Sequence, residues 1–166
     1  MIARAALSLA LLGLTGCGLQ PLYSGGSSGP VATALARIEV APIAGKSGWL
    51  VANALRDRLP ESDGSTPLYR LQVTLDDQIS GLGVRRDDSV TRERRTLRAR
   101  YQLVALDGSK VVIDDTAGSD AGVDVVGSEY ATIAAENTAL ERLSETVADQ
   151  IVTRIATYAR APRSAP

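Results

Sequence analysis

Tyr69-Arg70-Leu71-Gln72-Val73-Thr74-Leu75-Asp76 places an apolar side chain at every odd position and a polar one at every even position. Successive side chains on a strand point to opposite faces, so this is the pattern of a strand with one face buried and one wet. The same period returns at Leu97-Arg98-Ala99-Arg100-Tyr101-Gln102-Leu103, continuing to Ala105. Folding one segment back on the other about Arg85 to Ser89 sets Leu75 opposite Ala99 and Val73 opposite Tyr101, and the two apolar faces then coincide. The pair reads as a long antiparallel hairpin. Asp77 and Arg95 fall on the apolar side near its end, which predicts a tip that projects beyond the core or carries a bulge.

Working outward, Asp107-Gly108 marks the next turn. A two-residue turn would put Asp114 opposite Tyr101 on the buried face, whereas a three-residue loop aligns Val111, Ile113 and Ala117 with the apolar side; the longer loop is preferred. Upstream, Arg37 to Ile43 alternates as a short first strand, with Pro42 marking its end or a sheet edge. Ser47 is an N-cap residue for a helix carrying Trp49, Leu50, Val51, Ala54, Leu55 and Leu59, closed by Pro60. The last element runs from Ser128 to about Ala159, with Tyr130, Ile133, Leu140, Leu143, Val147, Ile151, Ile155 and Tyr158 as one apolar stripe. The order β-α-β-β-β-α predicts an α+β fold: a two-layer α/β sandwich with two helices on one face of a four-stranded mixed sheet. The first strand must return through a helical crossover, so its pairing is expected to be parallel.

The N-terminus carries a different signal. Arg4 and the apolar run Ala5 to Leu14 have the shape of a secretory leader, too short to span a bilayer. Leu14-Thr15-Gly16-Cys17 follows and resembles the lipobox of a bacterial lipoprotein. There a diacylglycerol alkylates the thiol, the peptide is cut before the cysteine and the new amine is acylated. Residues 1–16 are thus expected to be a signal peptide and 17–36 a lipidated start and flexible tether. The folded domain is expected over 37–159, with a disordered tail over 160–166. One acyl chain holds a protein to a membrane only marginally, but several together anchor it durably.

Composition narrows the chemistry. The 166 residues contain one cysteine and no histidine. Lipidation of Cys17 would consume the only thiol, and the commonest general base and metal ligand is missing. No metal and no cofactor are expected beyond the covalent diacylglycerol and N-acyl chain on Cys17. The chain has no phenylalanine and one tryptophan, so its core must be built from Leu, Val, Ile and Ala. The charge is close to neutral, with 18 basic and 19 acidic residues, and indicates no particular partner.

Charge is nevertheless concentrated locally. Arg85, Arg86, Arg92, Arg94, Arg95, Arg98 and Arg100 stand against Asp87, Asp88 and Glu93. By alternation Arg92, Arg94, Arg98 and Arg100 share the polar face of one strand, a row of guanidinium groups suited to phosphate. The alternative is a solvated face paired with acids such as Asp76 on the neighbouring strand. No aromatic residues interleave to stack bases, which disfavours nucleic acid. Asp76-Asp77 and Asp114-Asp115 invite a catalytic reading, but adjacent strand residues point to opposite faces, so neither pair converges on a substrate.

Cys17-Gly18-Leu19-Gln20-Pro21-Leu22-Tyr23, Thr91-Arg92 followed by Leu97-x-Ala99-x-Tyr101-x-Leu103, Ala135-Glu136-Asn137-x-Ala139, and Leu143-Ser144-x-x-Val147-Ala148-Asp149-Gln150-Ile151 together resemble the LptE family of lipopolysaccharide-assembly lipoproteins. The resemblance spans nearly the whole chain after Cys17. It implies a non-catalytic outer-membrane lipoprotein, anchored from the periplasmic side. Such a protein sits as a plug in the LptD β-barrel in a 1:1 complex, assists barrel assembly, and contacts lipopolysaccharide on its way to the outer leaflet. Gly18 in place of aspartate after the cysteine is compatible with outer-membrane sorting. Two other readings share these features: an accessory subunit of a different envelope transport system, and an envelope hydrolase working through carboxylates alone.

Overall fold

The computed structural model of the protein describes residues 26–60, 64–84 and 90–161. Seven main elements follow in order: α1 (Pro30–Leu35), β1 (Ile38–Val40), α2 (Gly45–Arg58), β2 (Tyr69–Val84), β3 (Val90–Ala105), β4 (Lys110–Asp124) and α3 (Glu129–Arg160). The strands form one sheet in the order β1-β2-β3-β4. β1 runs parallel to β2, and the other two pairs are antiparallel. The α+β, two-layer prediction holds, with a third helix in the helical layer.

That third helix lies inside the segment expected to be tether. Pro30 fits the first helical turn, and Val31, Ala32 and Leu35 share one stripe that is buried. Leu35 lines a small gap with Ile155 and Tyr158 of α3, so the packed domain begins ahead of residue 37. Residues 1–25, which include the leader and Cys17, lie outside the described residues, as do 162–166 of the tail; α3 itself reaches Arg160.

The hairpin register is the one set by the alternation. Leu75 pairs with Ala99 and Val73 with Tyr101. From there β2 and β3 extend together to Val84 and Val90 with no bulge between them. The β3-β4 connection differs from expectation near its turn. Ala105 pairs with Lys110 around a four-residue loop, and the register shifts between Leu103 and Val104. Ser109 takes a left-handed φ of 54° in that loop. The shift inserts one residue into β4, so Val111 is exposed while Ile113 and Ala117 are buried as predicted.

The core lies between the sheet and α3. Leu97, Ala99, Tyr101 and Leu103 of β3, with Ile113 and Ala117 of β4, meet Leu140, Leu143, Val147, Ile151 and Ile155. Small residues such as Ala99, Ala117 and Ala148 let the helix approach closely. Two parts of the expected apolar stripes stay outside this core. Tyr130 is 89% exposed and Ile133 48% exposed, because the first turns of α3 run past the end of the packed layer. Trp49 on α2 is 63% exposed. α2 also begins three residues earlier than the Ser47 cap implied, at Gly45, whose φ of 82° lets the chain turn into the helix.

Core position and exposed overhang are separable by mutation. Leu143→Ala should lower the unfolding free energy by about 3 kcal/mol, read from a denaturant midpoint. Ile133→Ala should shift it by no more than about 0.5 kcal/mol, although both residues belong to the same sequence stripe.

Candidate functional site

All three helices pack on one face of the sheet, and among the described residues nothing covers the other face. Alternation sends Arg92, Arg94, Arg98 and Arg100 of β3 to that open face, as the sequence indicated, and the register adds their neighbours. Arg92 pairs with Asp124, Arg94 lies beside Asp120, and Arg100 lies diagonally from Asp114. The separations are 3.2 Å, 3.7 Å and 3.1 Å. Gln102 also donates to Asp114 at 2.9 Å. At the other side Arg70 bridges to Glu39 at 3.2 Å. The strand face thus carries Arg70, Arg92, Arg94, Arg98 and Arg100 against Glu39, Asp76, Asp114, Asp120 and Asp124, and its charges balance.

Arg98 stands apart. It pairs across the ladder with Asp76 and Gly118, yet among the described residues its guanidinium makes no ion pair. Asp76 is instead engaged by the side-chain amide of Gln78 at 3.1 Å. The Arg98 stem lies over Gly118, where an added Cβ would sit 2.6 Å from Arg98 Cδ. Glycine at 118 therefore lets the arginine lie flat along the sheet. Beside it is a shallow depression lined by Thr74, Asp76, Arg98, Arg100 and Thr116. Of the four arginines singled out from the sequence, this is the one whose charge is uncommitted within the described fold.

Asp114, Asp120 and Asp124 are all even-numbered, and the alignment of Ile113 and Ala117 with the apolar side already puts them on the open face; the structure adds which arginine each one meets. The adjacent carboxylates diverge as predicted. Asp76 faces out, whereas Asp77 faces the helices and takes two bonds from Arg95, at 2.9 Å and 2.7 Å. Asp114 faces out to Arg100, whereas Asp115 accepts from Arg154 of α3 at 2.9 Å. Hydrogen bonds from Arg100 and Gln102 hold the Asp114 carboxyl below its ordinary value. Arg154, then the Thr116 N–H, do the same for Asp115, and Arg58 does so for Asp149. Burial, then Asp115, push the Tyr101 phenol up to about 12, so it stays neutral as a core side chain. Asp87 and Asp88 lie outside the described residues.

The sequence model for LptE, lipopolysaccharide-assembly, matches residues 35–155. The chain belongs to the LptE family. The match takes in every strand, α2 and nearly all of α3. Among solved structures, this LptE-family fold is similar to a lipoprotein of Caulobacter crescentus CB15, with TM-score 0.68 and 23% identity over 80% of this chain and 99% of that one. It is also similar to rare lipoprotein B of Shewanella oneidensis, with TM-score 0.56 and 12% identity over 73% and 94%. A minor lipoprotein of Acinetobacter baumannii gives TM-score 0.56 and 15% identity over 78% and 97%. The comparison with curated protein sequences found no match. At these identities the structures speak for the fold, and the family places the chain in lipopolysaccharide assembly.

The lowered carboxylates set an acid limit. A carboxyl depressed on folding contributes stability above its unfolded value, near 3.8, and loses it as the pH falls through the folded value. Denaturant midpoints should therefore drop as the pH is taken below about 4. The drop should be shallower in Asp114→Asn and Asp115→Asn, which start lower at neutral pH.

Proposed function

We propose that this protein is a non-catalytic outer-membrane lipoprotein, held from the periplasmic side by acyl groups on Cys17. In this reading it plugs and assists assembly of an LptD-like β-barrel in a 1:1 complex and helps deliver lipopolysaccharide to the outer leaflet. The observation that carries the reading is the family match across the folded domain. The sequence of the first seventeen residues supports the anchor, and among the described residues no helix is long and apolar enough to cross a membrane.

The open sheet face supports the plug reading on physical grounds. The lumen of a large outer-membrane barrel is polar and wet. A face of alternating ion pairs with balanced charge fits such surroundings without attracting a single sign of counter-charge. Lipopolysaccharide carries phosphates, and a free guanidinium is a suitable contact for them. Arg98 is then the member of the row best placed to meet one, while Arg92, Arg94 and Arg100 must first give up an aspartate.

A tagged protein drawn from outer membranes in mild detergent should bring down one large β-barrel in equal amount. Recovery alone, or with inner-membrane transport subunits, would replace the plug by an accessory role elsewhere in the envelope. Cys17→Ala should abolish the acylated species in a mass spectrum. In lipopolysaccharide binding, Arg98→Gln should weaken the interaction about tenfold, about 1.4 kcal/mol, and more than Arg92→Gln does. Equal small effects from both would assign the row to the protein surface alone.

A further inference from the structure

The two edges of the sheet are finished differently. Along β2 the Tyr69 N–H donates to Arg37 O at 3.2 Å, and Leu71 O accepts from the Ala41 N–H at 2.9 Å. Odd-numbered residues of β2 therefore turn their backbone groups toward β1, while even-numbered ones bond to β3. β1 pairs only with Tyr69 to Leu71. After Ala41 comes Pro42, which has no N–H to offer, and the chain passes through Ile43 and Ala44 into α2. β2 continues to Val84. Val73, Leu75, Asp77, Ile79 and Gly81 thus present their N–H and C=O groups sideways with no strand alongside among the described residues.

At β4, the opposite edge, side chains close part of the same kind of opening, at Thr116 and Gly118. Even-numbered residues face outward there. Gly118 N–H donates to Gln150 Oε1 at 2.9 Å, and Gly118 O accepts from Gln150 Nε2 at 3.3 Å. The amide of Gln150 fills the slot that a peptide of another strand would take. Thr116 N–H is likewise held by Asp115 at 2.8 Å. Between Val73 and Gly81, by contrast, there is no proline, no lysine and no bulge; the charges on this stretch are Asp76, bonded by Gln78, and the inward-pointing Asp77, paired with Arg95. An alternating row of backbone donors and acceptors is matched by another extended backbone.

We propose that Val73 to Gly81 is a strand-addition site, on which an extended segment of a partner polypeptide continues the line that β1 leaves at Pro42. A second copy of this chain is a poor occupant. Antiparallel self-pairing over this stretch centres on Asp77 and crowds two Asp77–Arg95 ion pairs, four charged side chains, against each other. Naming the partner rests on the barrel reading given above. The wall strands of a closed barrel already have neighbours on both sides, so the added segment comes from a loop or terminus of the barrel protein. It lies between Thr74, Asp76 and Gln78 on the open side and Leu75 and Ile79 on the helical side.

Backbone pairing leaves an alternating signature that side-chain contact does not. Amide hydrogen exchange is compared between the free protein and its purified complex with the barrel. The amides of Val73, Leu75, Asp77, Ile79 and Gly81 should slow about tenfold or more in the complex, with Thr116 and Gly118 unchanged. Ile79→Pro removes one outward donor and no bond to β3, so the free variant should fold normally and be recovered poorly with the barrel. Ile79→Ala keeps the donor and should be recovered as wild type. A complex in which the five amides exchange as fast as in the free protein overturns strand addition and leaves the plug reading standing. So does equal loss of complex in the Ala and Pro variants. Absence of any copurifying barrel overturns both.

Discussion

The contact between α3 and the inner face of β3 and β4 is the interaction on which the rest of the molecule depends. A chain without phenylalanine must fill its core with aliphatic groups, and here Leu97, Leu103, Leu140, Leu143, Val147, Ile151 and Ile155 do so around the one large ring, Tyr101. Burial of each such side chain contributes about 1.5–3 kcal/mol, and no other pair of elements brings so many together. α1 and α2 complete the layer by docking on α3, where Leu35, Val51, Ala54 and Leu55 join the same cluster. Arg58 of α2 then ties to Asp149 of α3 through two hydrogen bonds at the rim.

Where the apolar interface stops, polar contacts take over. Beyond Leu97 the inner face of the hairpin offers Arg95 and Asp77, 12% and 20% exposed. Arg95 also donates to the Glu136 carbonyl of α3 at 3.0 Å. A carbonyl of α3 thus accepts from the hairpin across the gap between layers. This contact resolves the apparent conflict of two charges on an apolar stripe: the hairpin extends past the core as expected, and the bidentate pair satisfies both groups. No bulge is required. Ile133 and Tyr130 lie further out still, on turns of α3 that the sheet leaves exposed.

The functional reading rests on the family match, and the one-sided arrangement supports it. Because the helices take one face, the other displays an ion-pair mosaic, and a protein with this face suits a polar enclosure better than a lipid surface. The carboxylates that resemble catalytic pairs are each engaged, Asp77 by Arg95, Asp114 by Arg100 and Asp115 by Arg154. Membership of the LptE family places that fold in lipopolysaccharide assembly.

The sequence by itself determined the strand register and the layer order. A period of two allows only one alignment of Val73 and Leu75 with Tyr101 and Ala99 that buries both faces, and a period near 3.6 marks the helix that covers them. It also showed which arginines share a face, because alternation is local. Tertiary structure alone decided how long a stripe is actually covered, which is why Tyr130, Ile133 and Trp49 are exposed despite their spacing. It decided that Pro30 to Leu35 packs as a helix, since six residues gain their stability from α3 and not from themselves. It decided which arginine each of Asp114, Asp120 and Asp124 meets, and it reached their register through a bulge near the β3-β4 turn. And it left β2 running on past a three-residue β1, an open edge that depends on where a neighbouring strand ends and that no property of β2's own residues records.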